Sequence, residues 1–292
     1  MNTLEIYTDH FKMRERPFTL VPDPDFLFWS PAHKRAFAIL EYGIVTRAPI
    51  TLITGDVGAG KTTLLHQLLQ SFDEDVCIGL VSNAQGDRGE LLRWVMSAFD
   101  QRVDVGASYV DIFTAFQDFL IAQYAAGRRS IAVIDEAQNL SRENLEELRM
   151  FTNINSNKDE LFQIVLVGQP ELREMVMRPD LSQFAQRVSA HFHLTAMDAE
   201  TTAQYIHHRL TTAGGAGDIF DAAACREVFA QSGGVPRVVN QLCDLCMVYA
   251  FASGHTRVTY ETVQQVLQDG VFFGAGLKQN TLRLVDPAPG KT

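Results

Sequence analysis

The stretch ITLITGDVGAGKTTLLHQLL, from Ile50 to Leu69, constrains the fold of this chain more than any other. Within it Gly55, Gly58, Gly60, Lys61 and Thr62 spell G-x-x-x-x-G-K-T. A β-branched run, Ile50 to Thr54, precedes the motif, and Leu64, Leu65, Leu68 and Leu69 follow it at helical spacing. The pattern is a strand, a glycine-rich turn and a helix. The glycines let the backbone turn tightly, so that successive N–H groups and the positive end of the helix converge on one phosphate. Lys61 supplies a point charge for the β- and γ-phosphates, and the Thr62 hydroxyl is placed to ligate Mg²⁺. Such a loop implies nucleotide binding and leaves open what the binding is for.

The 292 residues, 46% hydrophobic and 21% charged, suffice for one large or two modest domains. A formal net charge of −10 argues against a protein whose main task is to grip nucleic acid by neutralising phosphates, although a local basic patch can exist in an acidic chain. No apolar run approaches the ~18 to 20 residues that cross a bilayer, and the start, with Glu5 and Asp9, lacks a basic segment followed by an apolar one. The expected location is the cytoplasm, with peripheral contact at the inner membrane as the variant. Cys243 and Cys246 form a C-x-x-C inside a predicted helix, without a second pair or histidines at metal spacing, and read as a reduced, partly buried helix face.

Residues 1–30 form an arm rich in aromatics and proline: Tyr7, Phe11, Pro17, Phe18, Pro22, Pro24, Phe26, Phe28 and Trp29. Prolines extend such a segment, and its aromatics must pack on something. Two readings stand level: a strap across the core, and a wall for the nucleotide base built with the helix that Ser30-Pro31 opens through about Val45. Further strands are predicted at Val76–Val81, Ile131–Ile134, Phe162–Val167 and His191–Leu194, and helices at Arg88–Phe99, Tyr109–Tyr124 and Leu145–Asn155. Together they describe an α/β domain over 31–196 with a parallel five-stranded sheet.

Ile131–Ile134 ends in Asp135 and Glu136, and carboxylates at the carboxyl end of a parallel strand stand where ligands of such sheets bind. Asp135 is placed to hold Mg²⁺, directly or through water, and Glu136 to polarise the attacking water. Phe162–Val167 delivers Gln169 to the same edge, either to orient that water or touch the γ-phosphate, or simply to bond loop backbone. Asn157-Lys158-Asp159-Glu160 comes near a guanine-recognition N-K-x-D, but Glu replaces the last Asp and the tetrad precedes a strand, so the match reads as coincidence. The pairs His191/His193 and His207/His208 lack metal spacing.

From Met197 the pattern turns helical, with segments after Asp198 to Thr211, at Asp221–Gln231, Pro236–Ala252 and Tyr260–Asp269, giving a small α-domain over 197–273 and a mobile tail over 274–292. Arg237 falls in the first turn of a helix, where the dipole does not favour a cation, which points to a phosphate as its partner.

Pro17-Phe18, Pro22-Asp23-Pro24, GDVGAGKTTL, IDEAQNL, LEELRMFTN, VLVGQPELRE, QFAQRV and GGVPRVVNQLCD together resemble the general secretion pathway protein A family of AAA+ ATPases, whose relatives accompany exopolysaccharide and exosortase systems. The resemblance spans about residues 7–270 and implies a P-loop AAA+ fold with a helical lid, ATP and Mg²⁺ as cofactors, and ATP hydrolysis. It implies Gly55, Asp56, Val57, Gly58, Ala59, Gly60, Lys61, Thr62 and Thr63 as Walker A, Asp135 and Glu136 as Walker B, and Gln169 as sensor 1. Arg187 would be an arginine finger serving a neighbouring subunit, and Arg237 sensor 2, so a homo-oligomeric ring or filament follows. Secretion members of the family continue into a transmembrane helix and a periplasmic peptidoglycan-binding domain. Their lack here favours the shorter relatives linked to polysaccharide export. The alternative is an ATP-dependent DNA-binding regulator resembling transposition-regulating ATPases, which the acidic balance places second.

Overall fold

The computed structural model describes residues 7–21, 23–72, 75–82, 90–156 and 159–276. The arm before Tyr7, Pro22, the start of the predicted helix at Arg88, the Asn157-Lys158 pair and the tail after 276 lie outside the described residues. Contacts divide the chain into two units, Pro31–Thr195 and a second one joining Met1–Ser30 to Ala196–Thr292.

The first unit runs α1 (Pro31–Val45), β1 (Ile50–Gly55), α2 (Lys61–Gln70), β2 (Val76–Ser82), α3 (Glu90–Ala98), α4 (Tyr109–Ala125), β3 (Arg129–Asp135), α5 (Arg142–Phe151), β4 (Asn155–Ser156), β5 (Asp159–Glu160), β6 (Phe162–Gly168), α6 (Pro170–Val176), α7 (Ser182–Ala185) and β7 (Val188–Leu194). Five strands form one sheet in the order β2-β3-β6-β1-β7, and every pairing is parallel. The central strands are mostly apolar because helices cover both faces: all residues of β1 and β6 are buried, Thr51, Thr54 and Gln163 among them. One face carries a core that includes Leu92, Val95, Phe116, Leu120, Leu148 and Phe162. Phe116 and Phe162 meet edge to face at 5.0 Å, a preferred aromatic geometry.

Helix ends follow their caps. Ser108 with Asp111 and Ser141 with Asn144 form capping boxes on α4 and α5. The helix read from the sequence through Asn155 stops at Phe151, where the Thr152 hydroxyl bonds the Arg149 carbonyl at 2.8 Å. Asn155–Ser156 then pairs antiparallel with Asp159–Glu160, a short hairpin that the apolar pattern did not announce.

The second unit contains α8 (Ala199–Thr212), α9 (Ala222–Ser232), α10 (Pro236–Ala252) and α11 (Tyr260–Gln268). Asp198 and Asp221 cap α8 and α9. The arm is a strap on this unit: Tyr7, Phe11, Met13, Phe18 and Phe26 share one core with Ile206, Leu210, Leu242 and Met247. Polar ties fix it, since the Tyr7 hydroxyl and the Arg16 guanidinium both donate to Asp244, and Asn240 Nδ2 donates to the Thr19 carbonyl at 3.2 Å. Arg209 is buried in the same seam, donating to the Pro17 carbonyl and lying 4.6 Å from the Phe26 ring centroid. Cys243 and Cys246 are buried reduced thiols of α10, and burial pushes both well above the ordinary thiol value.

Phe18 is 1% exposed and packs edge to face on Phe220. Phe18→Ala is therefore expected to cost about 3–5 kcal/mol, read as an earlier urea transition; an unchanged midpoint would mean that the strap carries no stability.

Candidate nucleotide site

Because the five strands run the same way, the carboxyl ends of β1, β3 and β6 come out on one edge, bringing Gly55, Asp135 and Gly168 together. From Gly55 the chain turns through Asp56 to Gly60 into α2, with φ of 79° at Gly58 and 96° at Gly60. Gly60 occupies the N-cap position of α2 in the left-handed region without any side-chain cap, so the first amides of the helix remain turned to a ligand. A Cβ at Gly60 would stand 2.6 Å from Nε2 of His33. The buried His33 ring on α1 is thus the back wall of the loop, and it also hydrogen-bonds the Ala59 backbone.

Lys61 is buried and gives two of its three N–H groups to the carbonyls of Gly55 (2.7 Å) and Asp56 (2.9 Å). Burial lowers its pKa, opposed by the carboxylates of Glu136, Asp135, Asp56 and Glu171. The Thr62 hydroxyl lies beside Asp135, whose carboxyl is held above its ordinary value mainly by burial, the hydroxyl opposing. A hydroxyl and a carboxylate side by side at a phosphate cradle fit Mg²⁺, which takes one or two protein oxygens and completes its octahedron with phosphate and water. Among the described residues no group of three or more His, Cys, Asp or Glu side chains could hold a metal ion.

Glu136 caps a single 3-10 turn, Ala137–Asn139, at a φ of 53°. Its N–H donates to Asp135 Oδ1 at 2.9 Å, which ties the Asp135 carboxylate to the start of the turn. Gln138 Nε2 donates to Glu136 Oε2 at 2.6 Å, and Gln169 Nε2 approaches the same oxygen at 3.4 Å. Gln169 is the N-cap residue of α6, immediately after β6.

The fold therefore brings together Lys61, Thr62, Asp135, Glu136 and Gln169 around the loop Gly55–Thr63. Arg187 is placed elsewhere. It precedes β7, whose Val188 pairs with Ile50 at the amino end of β1, five strand steps or roughly 17 Å from the phosphate loop. There Arg187 donates to Glu160 at 3.5 Å and to Asn153. Arg237 is exposed in the first turn of α10 and belongs to the second unit. Two residues of the site carried no role in the sequence reading. His33 gives no local signal, being one polar residue in a helix. Gln138 had one, as the last residue of the D-E-A-Q run on the turn after β3.

Burial drives the His33 imidazole below its ordinary value of 6.5, the Ala59 bond opposing. The unfolded chain then takes up a proton that the folded chain refuses, so stability falls as pH drops below 6.5 and levels once the folded value is passed. His33→Gln should flatten that part of a melting-temperature profile between pH 7.5 and 5; a profile identical to the parent's would show that His33 is not the group involved.

A family model described as an AAA domain matches residues 45–176. General secretion pathway protein A of Aeromonas hydrophila is 37% identical over 255 residues, 87% of this chain and 47% of that protein. The chain thus spans about half the length of that curated relative. Among solved structures, Cdc6p of Pyrobaculum aerophilum is similar at a TM-score of 0.65 and 14% identity, covering 87% of this chain and 72% of that one. The ORC2 protein of Aeropyrum pernix, in ADPNP–ADP complexes, gives 0.61 and 17%, covering 85% and 72%. The RuvB Holliday junction branch migration motor of Thermotoga maritima gives 0.54 and 17%, covering 88% and 76%. At these identities the likeness is one of fold. No helix among the described residues is long and apolar enough to cross a membrane. The chain is thus an AAA-domain protein of the P-loop fold, similar over most of its length to General secretion pathway protein A.

Proposed function

We propose that this chain is an ATP hydrolase that associates when ATP is bound and that drives or regulates a cell-envelope secretion or exopolysaccharide export machine. One observation carries the hydrolase reading: the Thr62–Asp135 pair and Glu136 stand at the same sheet edge as the phosphate loop with Lys61. A loop that only bound a nucleotide would not need a second carboxylate beside the metal ligands. The backbone amides of the loop and Lys61 orient the β- and γ-phosphates, and Thr62 with Asp135 would hold Mg²⁺, which neutralises phosphate charge. Glu136 takes the proton of the attacking water.

Arg187 supports an assembly. With the length of β7 between it and its own phosphate loop, it can reach a γ-phosphate only on another subunit. Its Glu160 and Asn153 contacts hold the guanidinium at the amino edge of the sheet, ready for such a role. Arg237 is assigned as sensor 2 on the motif GGVPR alone. The secretion role rests on the 37% identity with General secretion pathway protein A; the export variant rests on the sequence motifs.

Lys61→Ala should abolish ATP binding. Glu136→Gln should bind ATP, accumulate as the associated form in size-exclusion chromatography and lose ~10²- to 10⁴-fold in turnover. Arg187→Ala alone should lose ~10³- to 10⁵-fold. Mixing the last two should restore turnover, because Glu136→Gln subunits can donate a finger to the intact carboxylates of Arg187→Ala subunits. No recovery at any ratio would remove Arg187 from the role in trans.

A further inference from the structure

Gln138 stands between the two strand ends that build the hydrolytic half of the site. Its Nε2 donates to Glu136 Oε2 at 2.6 Å, and its Oε1 accepts the backbone N–H of Gln169 at 3.0 Å. The two bonds fix the amide unambiguously. Turned over, the carbonyl oxygen would face a carboxylate and the NH₂ would face an N–H, so both neighbours agree on one orientation. Only an amide supplies a donor and an acceptor in this geometry. A Glu could accept from Gln169 but not donate to Glu136, a Met could do neither, and an Asn is one methylene short.

The surroundings are shaped to admit this side chain. A Cβ at Gly168 would stand 2.9 Å from Gln138 Oε1 and 3.2 Å from the Gln138 backbone nitrogen, and 2.7 Å from Leu172 Cδ2. A side chain at position 168 would therefore drive the amide out. The turn that presents Gln138 is itself held down, since Ala137 is fully buried and Asn139 N–H closes on the Glu136 carbonyl at 3.0 Å. Glu136 pays for its place in the turn with a left-handed φ of 53°, a strain that the surrounding bonds must overcome.

We propose that Gln138 is the positioning residue of the hydrolytic step: it anchors Oε2 of Glu136 to the loop after β6, so that Oε1 is the oxygen left to take the proton of the attacking water. The proposal rests on the hydrolase reading above. Because the same amide holds the Gln169 peptide, the direction of the carboxylate and the position of the loop beneath the γ-phosphate are set together. A displacement of Gln169 by a bound phosphate would be felt at Glu136 through the Gln138 amide, beside the longer 3.4 Å approach of Gln169 Nε2 to the same oxygen.

The test uses the full chain with Gln138→Met, which removes both bonds at near-constant volume, and Gln138→Glu, which keeps only the acceptor. Binding of a fluorescent ATP analogue should stay within about twofold of the parent in both, and single-turnover hydrolysis of labelled ATP should slow ~10- to 100-fold, a general-base contribution partly lost. Amide hydrogen exchange at the Gln169 peptide should speed up in Gln138→Met and stay near the parent's in Gln138→Glu. In a Glu136→Gln background, Gln138→Met should slow the residual rate by no more than twofold, because groups acting as a unit are not additive. Parent-like hydrolysis by Gln138→Met, or an undiminished effect in the Glu136→Gln background, would overturn the proposal. Should Gln138→Met fail to fold, a parent-like rate in Gln138→Glu, which lacks the bond to Glu136, would overturn it equally. Absence of hydrolysis by the assembled parent protein would overturn the hydrolase reading and this proposal together, whereas hydrolysis that ignores Gln138 overturns this proposal alone.

Discussion

The common direction of the five strands is the constraint on which the site depends. Parallel pairing sends each crossover helix back along a face and leaves all carboxyl ends on a single edge. Gly55, Asp135 and Gly168 meet there although they are far apart in the chain, and β6 separates β3 from β1 by one strand spacing on each side. Reversing any of these strands would send its loop to the opposite edge. The mostly apolar, wholly buried strands β1 and β6 are therefore requirements of the site as much as of the core.

Electrostatics at that edge is unbalanced by design of the fold. One buried lysine faces the carboxylates of Asp56, Asp135, Glu136 and Glu171, and burial works against the charge of Lys61 and of Asp135 alike. Such a surround suits a phosphate that arrives with its own divalent cation better than a bare anion, since the incoming complex carries both signs. The single 3-10 turn after β3 gives the two carboxylates different partners, tying the Glu136 amide to Asp135 and the Glu136 carboxylate to Gln138.

The phosphate loop was legible in the sequence because its information is local: glycines, lysine and threonine at fixed offsets, framed by a β-branched run and a leucine pattern. The acid pair was legible for the same reason. Gln138 was not, because its meaning depends on β3 and β6 being neighbours in the sheet, and strand order is not written in local periodicity. His33 was hidden likewise, since nothing in α1 says that the helix backs onto Gly60. The hairpin of β4 and β5 escaped notice because two-residue strands have no pattern. The arm's aromatics announced that they must pack, but not on which side of a gap of nearly two hundred residues their partners lay.

That last feature has a bearing on how the chain is made. Tyr7, Phe11 and Phe18 leave the ribosome well before Ile206, Leu242 and Met247, which complete their core. In the interval the residues from Pro31 to Thr195 can already form their own sheet, since domains mature as units during synthesis. The aromatic strap meanwhile has nothing to cover it, and it presents an apolar, proline-interrupted segment to whatever is near the nascent chain. Its prolines and charged neighbours, Arg14, Glu15 and Arg16 among them, then serve a purpose apart from the finished structure: they keep a waiting hydrophobic segment from pairing as a strand before its proper helices exist.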